Sequence, residues 1–156
     1  MAGKNDAHEY NILHMQFCGT AITNWCATAG TTLLWYGLHT ADPGEAGSTA
    51  SEGIGAQYTR ASVNRSTSGH VVTSGTSAAV ATVSPVSAIS FPQNTSTSTG
   101  TYTHFSVFPS SNAAGSAAIY SGTISPSINV SQNVTPQITT GSSICLLYTS
   151  PSPRDA

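Results

Sequence analysis

His8, Glu9 and His14 carry the residue types of a zinc-hydrolase helix. That chemistry needs two histidines four apart on one helical face, with the glutamate as general base, whereas these histidines are six apart and fall on opposing sides. A metal site of that type is excluded. His104 sits between Thr103 and Phe105, and no acidic residue lies nearby in sequence to orient it as a base, so it reads as structural. Arg60 and Arg65 flank a loop holding Asp42, Glu45 and Glu52, and pairing across it would pin the loop. A ligand role for these arginines ranks behind that. Cys18, Cys26 and Cys145 form no CxxC pair and no even-numbered framework, and read as free buried thiols. Outside the carboxyl-terminal tail every carboxylate precedes Gly53, so a nucleophile, base and orienter cannot be assembled along the chain. The expectation is no catalytic residue, no cofactor site and no metal site.

What would position such groups is also missing from the body of the chain. From Ser66 to Pro153 there is no Asp, Glu, Lys or Arg. General acid-base chemistry, metal binding and phosphate recognition would have only His70, His104 and Cys145 to draw on there. A surface of Ser, Thr, Asn and Gln can pack against copies of itself without desolvating ions. The composition points to a scaffold.

At 156 residues the chain suits one domain with a single core. A net charge of -2 provides no basic stripe, which argues against nucleic-acid binding. Met1–Met15 has no continuous apolar stretch of the secretory type, and no run approaches the roughly 18 apolar residues of a membrane helix. The expectation is a soluble protein made in the cytoplasm, without membrane insertion.

Asn5 or Asp6 caps a short helix, with Glu9 in capping-box spacing after Asp6, and its Tyr10, Leu13 and Phe17 share a face before Gly19 stops it. Thr31 to His39 is β-branched and aromatic and reads as a central strand buried on both faces, interrupted or bulged at Gly37. Asp42-Pro43-Gly44 is a turn, Glu45 to Gln57 a loop, and Tyr58 to Val63 a return strand. Short strands follow at 71–73, 79–83, 86–91, 102–108, 117–124 and 134–139, separated by Gly and Pro, Pro126 among them. This spacing predicts a mainly all-β fold: an antiparallel β-sandwich, or a jelly-roll-like variant, with one short amino-terminal helix. Residues 1–30 form the helix and linker, 31–144 the β-sandwich domain, and 145–156 a tail. Cys145 to Asp155 resembles the in-frame translation of a sequencing-library adapter, which implies a non-native, metagenomic origin for the tail and a native chain that continues differently beyond Ile144.

Leu38-His39-Thr40-Ala41-Asp42-Pro43, a Gly/Ala-rich loop with Glu52, and Tyr58-Thr59-Arg60-Ala61-Ser62-Val63 occur in that order. Ala88-Ile89-Ser90-Phe91-Pro92, Gly100-Thr101-Tyr102-Thr103-His104-Phe105 and Ala118-Ile119-Tyr120-Ser121-Gly122 follow. Over about Leu33 to Ile144 this succession resembles small bacteriophage tail-fibre or virion structural proteins. Pro109-Ser110-Ser111 replaces the family's acidic turn, and the segment with Cys18, Trp25 and Cys26 is less similar. The resemblance implies a non-enzymatic virion component, assembling with itself as a homo-oligomer and with other virion proteins. Its uncharged strands, Tyr102 to Phe108 among them, are the expected contacts. The alternative is a carbohydrate-binding module for a host surface glycan, stacking a sugar on Trp35, Tyr36, Tyr58 or Tyr102.

Overall fold

The computed structural model describes residues 6–19, 33–44, 46–73, 81–111, 118–142 and 144–146. Helix α1 (Asp6–Cys18) comes first. The strands are β1 (Leu33–His39), β2 (Ala61–Asn64), β3 (His70–Thr73), β4 (Ala81–Pro85), β5 (Ile89–Ser90), β6 (Gly100–Phe108), β7 (Tyr120–Val130), β8 (Gln137–Ile138) and β9 (Ile144–Leu146).

Helix α1 ends where Gly19 takes φ 66°, a left-handed turn that glycine adopts without a Cβ penalty. Leu13 and Phe17, one turn apart, are fully buried. Arg65 donates to the carbonyls of Met15 and Gln16, filling acceptors that the last helical turn leaves open. The side chain of Tyr10 lies outside the described residues.

Four antiparallel strands form the larger sheet in the order β2-β1-β6-β7. Strand β1 is interior, as its apolar run requires, with Tyr36 opposite Ala61 on one side and Val107 on the other. A second sheet, β3-β4-β9, sets Val83 between Val72 and Ile144, and a two-stranded ladder pairs Ile89 of β5 with Ile138 of β8. One core joins them: Leu34, Tyr36, Leu38, Tyr102 and Val107 from the large sheet meet Val72, Val83 and Ile138 from the others, with α1 adding Leu13 and Phe17. The protein is an all-β antiparallel sandwich with one short amino-terminal helix among its described residues, as the turn spacing predicts.

Local detail departs from the sequence reading in two places. Gly37 is not a bulge, since it pairs in register with Ser106. Glycine is needed there for space, because a Cβ would lie 2.9 Å from both Glu52 Oε1 and the Phe108 ring. Pro126 does not separate strands, since β7 runs through it. As the edge of its sheet, β7 tolerates a residue without an N–H. The β6 partners also jump from Ile128 to Thr123 between Tyr102 and His104, so residues 124–127 leave the ladder. Residues 79–80, 117 and the segment with Trp25 and Cys26 lie outside the described residues.

Candidate functional site

The polar residues singled out in the sequence occupy structural positions. Arg60 grips Glu52 in a bidentate pair, Nε to Oε1 at 2.7 Å and Nη2 to Oε2 at 2.8 Å, with side chains 2% and 5% exposed. Nη1 donates to the Ser110 carbonyl at 3.1 Å, and the guanidinium lies 3.3 Å over the Phe108 ring. The Tyr58 hydroxyl donates to Glu52 Oε1 at 3.2 Å and accepts the Leu38 N–H at 2.7 Å. Strand β2 stops pairing at Tyr36–Ala61, so this phenol supplies the hydrogen bond that a longer β2 would have given Leu38. Burial pushes the Tyr58 hydroxyl well above the usual phenol range. A small cleft of about 230 Å³ opens beside Thr49, Tyr58 and Ser111, but the ion pair at its floor is committed to the fold. Arg60 therefore pins the loop through Glu52. Arg65 donates to the α1 carbonyls of Gln16 and Met15.

Three histidines are placed by strand alternation. His104 bonds the Thr103 hydroxyl at 2.9 Å through Nδ1 and faces His39 across β1 and β6. His39, fully buried, meets the Ser51 hydroxyl at 3.3 Å through Nδ1, while Ser51 donates to the Ala41 carbonyl. Its pKa is lowered by burial first; Glu52 pulls it back up, and Arg60 and His104 push it down. Its Nε2 and the Ser106 hydroxyl have no protein partner among the described residues. His70, with Nε2 2.9 Å from the Tyr36 hydroxyl, is likewise held below the usual range by burial. The buried roles of His39 and His70 escaped the sequence reading, although alternation with Val72 was a usable signal for His70. The side chains of His8 and Glu9 lie outside the described residues, as do Cys26 and the Cys145 thiol. Cys18 is a buried free thiol. Among the described residues, no cluster of three or more His, Cys, Asp or Glu is arranged to hold a metal.

A cleft of about 550 Å³ opens between the sheets. Tyr36, Val83, Phe105, Ile138 and Ile144 line it together with Ile124 and Ile128 from the irregular stretch of β7, and the hydroxyls of Thr123, Ser125 and Ser127 add a polar margin. Among the described residues, no charged side chain lines it. Beside it runs the outer edge of β7, which has no partner strand among the described residues and exposes Ser121, Thr123, Ser125, Ser127 and Asn129. Strand β6 is interior and paired on both sides, so its backbone edges are already taken within the sheet. Of the aromatic residues expected for sugar stacking, Tyr36 and Tyr102 are buried, and Trp35 and Tyr58 are half-buried.

An antiparallel sandwich with uncharged outer strands belongs to the class of β-structured proteins whose surface suits packing better than chemistry. The particular family is established by comparison: the family model described as podophage GP4 fiber I protein gp80 matches residues 4–145, and the chain belongs to that family of bacteriophage fibre proteins. This membership makes it a virion component. No curated protein matches the chain. No helix among the described residues is long and apolar enough to cross a membrane.

Proposed function

We propose that this protein is a structural subunit of a phage fibre that acts by assembly, with copies of itself and with other virion proteins, and not by catalysis. The observation that carries the reading is the open β7 edge: an eleven-residue strand with no charged side chain, at the rim of the larger sheet. Monomeric proteins blunt such an edge with charges, bulges or proline. Here Pro126 and the irregular stretch around it protect only the middle. Along the flanks, Tyr120–Thr123 and Ile128–Val130, the outer edge has no partner strand among the described residues, and a neighbouring subunit can pair there. Sedimentation velocity and native mass spectrometry of the purified chain, with proteomics of purified particles, test this directly. An oligomer that is present in virions is expected; a strict monomer absent from particles overturns the reading.

A second reading, binding of a neutral host glycan, is favoured by the uncharged cleft, in which half-buried Phe105 lies beside hydroxyl-bearing residues. Titration calorimetry with neutral oligosaccharides decides it. Saturable binding that Phe105→Ala removes, without a change of oligomeric state, would move the function from assembly alone to receptor recognition.

A further inference from the structure

Helix α1 is fastened to the sandwich through its last turn. Phe17 meets the His70 ring edge-on with centroids 5.2 Å apart, and lies 5.5 Å from Tyr120. The Cys18 thiol donates to the His70 carbonyl at 3.6 Å, Tyr120 donates to the Gln16 side chain, and Arg65 donates to the Met15 and Gln16 carbonyls. On its other side the imidazole stacks on Tyr36 at 6.0 Å, with the hydroxyl 2.9 Å from Nε2. The ring is 1% exposed.

A second proton on this ring would be poorly hydrated, and few groups stand ready to receive it. Helix α1 presents Cys18 on this side, β1 presents Tyr36, and β7 presents Tyr120. The segment after β2 brings Arg65, a like charge, to the same helical turn, while the described side chains of β4 are Thr82, Val83, Ser84 and Pro85. Burial holds His70 below the usual imidazole range, against the weaker opposing pull of the Asn64 and Phe17 carbonyls. Tyr36 of β1 and helix α1 lie on opposite sides of the ring. Tyr36 sits on an interior strand paired on both sides and cannot swing away without breaking the sheet. Helix α1 packs on β3 and β4 and belongs to neither sheet.

From this geometry we propose that α1 is an acid-released latch: protonation of His70 undocks the helix from β3 and β4 while the four-stranded sheet stays folded. The buried stacking partner and the peripheral helix make one unit with two arrangements, docked around a neutral ring or lifted from a charged one.

Hydrogen-exchange mass spectrometry on the full chain, with rates corrected for pH, tests this at about pH 7.5 and about pH 5, on either side of the ordinary histidine range. Peptides covering residues 6–18 are expected to lose protection at least ten-fold relative to β6 at the lower pH and to recover on return. His70→Gln, which keeps a neutral amide near the Nε2 position, is expected to hold the helix at both values. Tyr36→Phe keeps the imidazole but removes its hydroxyl partner, and is expected to shift release toward higher pH; it carries the test if His70→Gln does not fold. The proposal is overturned by a helix that stays protected at the lower pH, by loss of α1 and β6 protection together, or by release that neither substitution alters. Release that persists in His70→Gln but disappears in His14→Gln would assign the trigger to His14 and overturn it equally.

Discussion

Glu52 and Arg60 are each useful only because the other is present. Both are nearly sealed from water, and removing one leaves a buried charge without compensation. Arg60→Ala is therefore expected to cost about 3–5 kcal/mol of unfolding free energy by urea denaturation, because it strands Glu52 and uncovers Phe108 as well. A loss below ~1 kcal/mol would place the pair among solvated surface bridges. The buried histidines make a separate prediction. His39 and His70 both have folded-state pKa values lowered by burial, so the unfolded chain binds more protons than the folded one as pH falls through the histidine range. Their contribution to stability is complete above the unfolded value of about 6.5 and shrinks as pH drops toward the folded values. Urea midpoints at a series of pH values should fall on acidification from 7 to 5, and a flat profile would contradict the buried neutral assignment. At this scale the sequence was partly legible. A loop carboxylate eight residues before Arg60 invites pairing. Nothing in the sequence separates that partner from Arg65, whose hydrogen bonds go to a helix far away in the chain.

Elements were more legible than their ends. Helix α1 follows from an acidic start, apolar residues one turn apart and a glycine stop, all of them local signals. Strands β1 and β6 follow from β-branched and aromatic density. Strand β7 was cut short in the reading because proline forbids a ladder donor only where a neighbour needs one, and whether a strand lies at an edge is a property of the sheet. The cleft was illegible for a related reason: its walls come from both sheets and from an irregular stretch of β7 that no local pattern announces. Strand β9 adds a three-residue edge to β4 through Ile144, Cys145 and Leu146. If residues from Cys145 onward are foreign to this core, deleting Cys145–Ala156 should lower unfolding free energy by less than about 2 kcal/mol, measured by thermal and chemical denaturation. A larger loss would mean that the segment belongs to the fold.

At the scale of the molecule, family membership and the uncharged outer strands agree on a fibre protein. Assembly through such strands involves no ion pairs. Sedimentation at about 1 M salt should therefore match that at about 0.1 M, whereas dissociation at the higher value would indicate charged contacts. The sheet order β2-β1-β6-β7 bears on how a cell makes the protein. Trp35 must find Phe108, and β4 must wait for β9, so most pairing joins residues distant in the chain. Loop closure precedes any reward from such contacts, which places folding in the millisecond-to-second regime of β-rich domains. On a ribosome delivering roughly 5–20 residues per second, the emerging chain spends seconds with β1 and β2 in hand and no β6 to complete them. Its low charge then leaves little electrostatic repulsion between neighbouring nascent chains on a polysome, and fibre protein yield becomes a contest between synthesis rate and premature pairing.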